Sequence, residues 1–304
     1  MTRIIAALFI ACLFTLTGCG GLTCSSTDII AQTIKAKTLS AMSQVKSFTL
    51  DTDIINNYNV IYVPDVPANI TEWNGTRIVD VSNQEIGMSM MMTYGSSSTS
   101  DEIYFKDGIE YLKTVSDANI PPSLGWIKYQ LGNSENAAWN REAQISNLIE
   151  LLKKSTQFSS LQSEKVNDVD CYVFLINPTR ESVVDWVLSQ DQSNGPSLNI
   201  SHGRPALVGS AFLKAYRSSS IKIWIAKDNY LVIQTELNVH FETSTEELGR
   251  RLHSPLQNLL SYFHEIFVRK HEISSDFHGE MNFSNYNQPV SIQVPQEALD
   301  AKEY

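Results

Sequence analysis

"SIKIWIAKDNYLVIQTELNVHF", Ser220 to Phe241, is the stretch that decides the fold. Its first half alternates strictly, with Ile221, Ile223 and Ile225 on one face and Lys222, Trp224 and Ala226 on the other. Its second half repeats the rhythm through Leu231, Ile233, Leu237, Val239 and Phe241. A period of two sends successive side chains to opposite faces of a strand. Asp228-Asn229, between the halves, is turn chemistry. The stretch predicts a β-hairpin with one apolar face.

The same grammar recurs along the chain. "EIYFKDGIEYLKT" turns at Asp107-Gly108 and "SEKVNDVDCYVFLINP" at Asn167-Asp168, pairs suited to the positive backbone angles of a two-residue turn. "SFTLDTDI" alternates Phe48, Leu50, Thr52 and Ile54 against Thr49, Asp51 and Asp53, and "EIGMSMMMTYG" puts Met88, Met90 and Met92 on one face. "HEIFVRKHEI" and "SSDFHGEMNFSNY" are expected to complete the sheet, and "GSSSTS" (Gly95 to Ser100) to form a turn. Consecutive hairpins indicate an antiparallel meander, not a parallel α/β sheet. Helices are expected at three places. Ser26 or Thr27 caps the first, whose apolar stripe is Ile30, Ile34, Ala41, Met42 and Val45. "NAAWNREAQISNLIELLKKS" carries Ile145, Leu148, Ile149 and Leu152, and "PTRESVVDWVLSQ" carries Val183, Val184, Trp186 and Val187 behind Pro178. Ser193 to Leu207 reads as a long loop, and no linker divides residues 28–304, which are expected to form a single domain.

The start of the chain sets the compartment. Ile4 to Leu16 carries no charge and follows Arg3. It is shorter than the roughly 20 apolar residues of a bilayer span and has the order of a secretory signal. Leu16-Thr17-Gly18-Cys19 matches the bacterial lipobox, in which the signal is cut before a cysteine whose sulfur receives diacylglycerol. The expectation is a signal peptide over 1–18, a lipidated tether over 19–27, and palmitate-type acyl chains on Cys19. Those chains would hold the protein to the membrane at the extracytoplasmic face of a bacterial cell envelope. Of the other cysteines, Cys12 leaves with the signal. Cys24 and Cys171 remain for a disulfide that an oxidising compartment permits, although Cys171, opening "CYVFLI", suits a buried thiol as well.

Composition narrows function. With 23 Lys and Arg against 33 Asp and Glu, the net charge is −10. Nucleic acid demands clustered basic residues, so it is not an expected partner. His264, His271 and His278 fall seven apart, which is not the i, i+4 pair of a zinc helix; no metal site or cofactor is expected. There is no G-x-S-x-G elbow, no phosphate-cradling loop and no visible nucleophile with its base, so no enzyme is expected. What stands out is apolar: Met88, Met90, Met91 and Met92 are four of seven methionines. Methionine is flexible and polarizable and lines surfaces that accommodate varied ligands, but it also fills cores. Trp224, opposite the isoleucines, carries the same ambiguity. Met88, Met90, Met92 and Trp224 are the ligand-cavity candidates.

The C-terminal letters add a resemblance. "GEMNFSNYNQPVSIQVPQEALDA", Gly279 to Ala301, resembles the ending of bacterial lipoproteins of the LppX/LprG type, within the LolA/LolB-like group. The carrying residues are Tyr286, Asn287, Pro289, Val290, Ile292, Pro295, Glu297 and Ala298. The order of lipobox, helix, "SFTLDTDI", "KDG" hairpin, "CYVFLINP" and "IWIAKDNYLVIQTEL" is similar to that group as well. The resemblance implies an α+β fold, a half-open antiparallel β-barrel wrapped around helices with an apolar cavity between. It also implies a lipid or acyl-chain ligand, shielded during carriage across the envelope, and an envelope transport partner. The alternative from a different class is a membrane-anchored interaction or sensor module whose core is filled and which holds no ligand. "NGPSLNISHGRPALVG" and "EELGRRLHSPLQNLL" depart from the group's pattern.

Overall fold

The structure, a computed structural model, describes residues 26–61, 69–117, 124–131, 139, 145–155, 157–183, 214–244 and 272–303. Cys19, Cys24, Trp186, the Ser193–Leu207 loop and the expected strand before Glu272 lie outside the described residues.

Helix α1 (Ser26–Met42) enters first and buries Ala31, Ile34, Thr38 and Met42 at spacings of three and four. This corrects the expected stripe, because Ile30 is 59 % exposed. Each helical residue advances about 100°, so an arc centred between Ile34 and Met42 takes Ala31 inward and leaves Ile30 on the rim. No described helix is long and apolar enough to cross a membrane.

Six strands follow as consecutive antiparallel neighbours: β1 (Ser47–Ile61), β2 (Asn69–Asp80), β3 (Glu85–Tyr94), β4 (Ser97–Lys106), β5 (Ile109–Ser116) and β6 (Leu124–Gln130). After helix α2 (Ile145–Lys154) come β7 (Gln157–Ser160), β8 (Glu164–Val166), β9 (Val169–Asn177), β10 (Tyr216–Ala226), β11 (Val232–Ser244) and β12 (Glu272–Ser284). The expected antiparallel meander is present as two runs. Its two halves are seamed by β12, which lies between β1 and β11 and pairs antiparallel with both. The result is one large curved antiparallel sheet that does not close into a barrel.

Local chemistry explains the turns. Asp107 and Gly108 take φ of 53° and 73°, and Asn167 and Asp168 take 47° and 66°, as the left-handed two-residue turn requires. "GSSSTS" is mostly strand: Gly95 alone has positive φ, and Ser97 to Ser100 pair with Met91 to Tyr94. The β10–β11 connection is longer than expected. It closes through Ala226 N to Leu231 O and Tyr230 N to Ala226 O, with Tyr230 left-handed at φ 62°. A register shift follows, Trp224 facing Gln234 while Ile225 faces Val232. The skipped Ile233 is the extra residue of a bulge. Val232 therefore turns into the main core while Ile233 turns to the other face, reversing the alternation expected there.

The concave face holds the main core. Phe48 and Leu50 of β1, Val79 of β2, Ile86 and Met88 of β3, Ile103 and Phe105 of β4 and Phe283 of β12 belong to one cluster with Ile34 and Met42 of α1 and Leu148 and Leu152 of α2. Each such side chain contributes roughly 1.5–3 kcal/mol by leaving water. Sheet and helices thus share one core, the half-barrel wrapped around helices.

The C-terminal tail straps this sheet. Asn287 Oδ1 accepts from Lys46 N at 2.7 Å and Asn287 N donates to Ser47 O at 2.8 Å, pinning the tail to the start of β1. Tyr286 donates to Val232 O at 2.6 Å and stacks on Phe283. Ile292 is buried beside Gly87 and Tyr104. Helix α3 (Gln296–Leu299) buries Ala298, and β13 (Lys302–Glu303) adds in parallel to β6. The residues of the C-terminal motif therefore work as pins.

Candidate functional site

Register converts the strands into rows on the concave face. Leu50, Arg77, Met88, Ile103, Leu112 and Ile127 share one row. The next holds Thr52, Gly75, Met90, Asp101 and Thr114, and the one after it Ile54, Trp73, Met92, Thr99 and Ser116. The face is hydrocarbon near the β2–β3 turn and becomes mixed toward the β3–β4 turn.

Met88, Met90 and Met92 occupy three successive rows of this face. Met88 and Met90 are buried, Met92 is half-buried, and Met91, pointing the other way, is 46 % exposed. Met88 packs within the main core, and its sulfur accepts from Arg77 Nε at 2.8 Å. Arg77, 4 % exposed, also donates from Nη1 to Thr52 Oγ1 at 3.3 Å. A buried guanidinium requires such partners to offset its desolvation.

Over the next two rows, polar groups face the same side. Asp101 accepts from Thr114 Oγ1 at 2.7 Å; burial pushes its carboxyl above the ordinary range, and that hydrogen bond opposes the shift. Thr99 and Ser116 hydroxyls lie 3.5 Å apart. Trp73 packs against the main core, yet its Nε1 is sealed from solvent and has no hydrogen-bond partner. Arg77, Asp101 and Trp73 were not singled out from the sequence. Extending the alternation of Phe105 and Ile103 back to Asp101, and of Val79 back through Arg77 to Trp73, is the signal that finds them.

Trp224 is not part of this group. It lies on the opposite face of the sheet, in a small cluster with Cys171 and Val173, edged by Val166, Val169 and Ile233. Its Nε1 donates to Glu164 Oε2 at 2.8 Å, and Lys222 Nζ sits 4.3 Å from the ring centroid while also reaching Glu164 Oε1 at 3.0 Å. That trio clamps the β8–β9 hairpin onto β10. The structure thus brings Met88, Met90 and Met92 together and leaves Trp224 apart. Cys171 is a free, fully buried thiol, pushed up by desolvation. Asp51 and Asp53 point outward, Asp51 accepting from Thr76 Oγ1 at 2.6 Å. His278 meets Asn238 Oδ1 at 2.8 Å. A separate polar cleft, lined by Lys214, Arg217, Glu242, Thr243, Ser244 and Glu272, lies at the ends of β10, β11 and β12, away from the methionines.

No family model and no curated relative matches the chain. Solved structures do. Lipoprotein LppX of Mycobacterium tuberculosis aligns at 11 % identity over 88 % of this chain and 100 % of its own, with a TM-score of 0.40. LprF from Mycobacterium bovis aligns at 12 % identity over 89 % and 99 %, with a TM-score of 0.41. A DUF1329 family protein from Desulfovibrio piger aligns at 10 % identity over 88 % and 96 %, with a TM-score of 0.23. The LppX/LprG-type resemblance read from the C-terminal letters recurs among the solved structures to which this chain is similar.

Proposed function

We propose that this chain is a cell-envelope lipoprotein, anchored through Cys19 at the extracytoplasmic face of the membrane, that holds a lipid or acyl chain against its concave face for carriage across the envelope. The observation that supports it is the methionine strand. Met88, Met90 and Met92 face the concave side in successive rows, beside Ile103 and Leu112, with the Arg77 guanidinium of the Met88 row held by Met88 Sδ and Thr52 Oγ1. Thioether side chains adapt their shape to a chain that is itself flexible. At about 0.8 kcal/mol per buried methylene, one long acyl chain supplies roughly ten kcal/mol before ordering costs. One observation favours the second reading, an anchored module with a filled core: Met88 is already packed within the main cluster.

The test is native mass spectrometry of the mature chain, Cys19 to Tyr304 with Cys19→Ser, purified from a bacterial host without detergent. The carrier reading expects adducts that extract as lipids and disappear when Met90 and Met92 are both replaced by Phe. A clean mass that takes up no lipid on incubation would leave the anchored module.

A further inference from the structure

We infer that the outer face of helix α1 lies on the phospholipid surface to which Cys19 ties the chain, with Ile29 and Ile30 at the acyl boundary and Lys37 and Lys227 on lipid phosphates. This rests on the Cys19 anchor proposed above, not on the ligand, and adds the docking face and its orientation. Helix α1 has two unlike sides. Ala31, Ile34, Thr38 and Met42 are buried, whereas Ile29, Ile30, Thr33, Ala36, Lys37 and Ser40 are exposed. At about 100° per residue the exposed positions fall on one arc, and Ile30 stands two turns, about 10 Å, from Lys37 on the same side. Ile29 and Ile30, at 58 % and 59 %, are the most exposed large apolar side chains among the described residues. From Ile29 to Met42 the helix carries no carboxylate.

A ladder of side chains continues from Lys37 beyond the helix. Lys37 Nζ donates to the Tyr230 hydroxyl at 3.0 Å and stands 4.6 Å from its ring centroid. Tyr230 stacks on Tyr172 at 6.4 Å and 16°, and Lys227 Nζ lies 5.4 Å from the Tyr172 centroid. Tyrosine and lysine, each with an apolar body and a polar tip, suit the layer where headgroups meet hydrocarbon. Asp228, next in sequence, offsets one of the two cations, so the isoleucine pair and not net charge carries the contact. Chain length selects the occupant. Ser26 is seven positions from Cys19, and an extended chain spans at most about 25 Å over that distance. The first turn of α1 therefore stays within that reach of the bilayer, and so short a tether makes a weak contact persistent by raising its effective concentration. Orientation follows: α1 shares its core with the concave face, so a docked α1 turns that face toward the membrane.

The test uses the full chain with Cys24→Ser, so that Cys19 takes its acyl chains and, with Cys171 buried, the thiol introduced by Ile30→Cys is the one open to a nitroxide label. In vesicles of phosphatidylethanolamine and phosphatidylglycerol, power-saturation EPR should give a several-fold higher ratio of oxygen to nickel-chelate accessibility at position 30 than at position 89. The latter label enters by Ser89→Cys, exposed on the outward face of β3. Thr33→Cys, on the same arc of α1, should follow position 30, which shows that no single label creates the contact. Lys37→Gln with Lys227→Gln should lower the docked-to-free ratio, read from the two-component spectrum, roughly fivefold for each lysine. A label at 30 as aqueous as one at 89, on a chain whose mass shows acylated Cys19, would overturn the docking, leave the anchor, and open the face to a protein partner. Docking unmoved by loss of both lysines would overturn the ladder's role. A mass without acyl chains would overturn the anchor reading and the inference with it.

Discussion

Gly75 and Gly87 lie on neighbouring strands, and adding one methyl group to each should move stability in opposite directions. A Cβ at Gly75 would stand 2.9 Å from Ser89 O and 3.3 Å from both Cα and Cβ of Met90. The obstacle is largely the backbone of the paired strand, which cannot swing aside as a side-chain tip can, so β2 and β3 must part locally. Overpacking of that kind costs about 1–3 kcal/mol. Against it, alanine removes about 0.5–1 kcal/mol of unfolded-state entropy that glycine carries. The steric term wins, and Gly75→Ala should destabilise by about 1–2 kcal/mol. At about 2–4 °C per kcal/mol for a chain of this class, the melting temperature should fall by roughly 2–8 °C. A Cβ at Gly87 meets only Ile292 Cγ2 and the Tyr104 ring, at 3.5 Å, which is ordinary contact. Gly87→Ala should therefore hold or raise the melting temperature. Differential scanning calorimetry of the two variants beside the parent decides it. A Gly75→Ala protein that melts at or above the parent, or two variants that shift together, would refute the register of β2 on β3 that underlies the candidate site.

Three further outcomes are expected. Tyr286→Phe removes the hydroxyl that donates to Val232 O at 2.6 Å, and leaves a buried carbonyl short of a partner; urea titration should show a loss of about 1–2 kcal/mol. Asp101 holds its proton more tightly folded than unfolded, so its effect on stability is nil below the unfolded pKa and a penalty above the folded one. Asp101→Asn keeps an acceptor for Thr114 and should melt higher than the parent at neutral pH, a gap that closes as pH falls through that window; a gap independent of pH would contradict the assignment. Cys171 is buried and its thiol pushed up, so in a Cys19→Ser, Cys24→Ser chain it should react with a polar disulfide reagent only on unfolding. Rapid labelling, or a Cys24–Cys171 bond found by mass in the chain that keeps Cys24, would go against its free state.

How much of this was legible follows from what each residue does locally. Hairpins whose turn residues must take positive φ announced themselves, because few residues other than Gly, Asn and Asp tolerate those angles: Asp107-Gly108 and Asn167-Asp168 behave as read. The alternation over Phe48 to Ile54 and the shared face of Met88, Met90 and Met92 were legible for a similar reason, since inward positions there carry mostly apolar side chains. Strand β2 was not. Its inward residues are Trp73, Gly75, Arg77 and Val79, so the apolar period is broken twice by residues that serve the interior. The bulge at Ile233 was hidden as well, because a continuous apolar pattern cannot say where one residue is skipped. Long-range pairing is the third gap: nothing near Glu272 to Ser284 states that it belongs between β1 and β11.

The candidate site sits where these gaps overlap. Tryptophan at 73 and tryptophan at 224 look alike in sequence, each one residue of an alternating run. What separates them is register and distance along the chain. Glu164, sixty residues before Trp224, meets its indole because β8 and β10 both pair with β9 and the Glu164 side chain reaches across it. Trp73 faces the concave side among Ile54 and Met92, and its Nε1 makes no hydrogen bond there. A buried polar group left without a partner costs about 1–3 kcal/mol. Apolar alternation, the signal that builds the sheet, is weakest along the strand that carries Trp73. Reading the concave face from sequence therefore requires the inward positions that break the pattern, Arg77 and Asp101 among them, to be followed as closely as those that keep it.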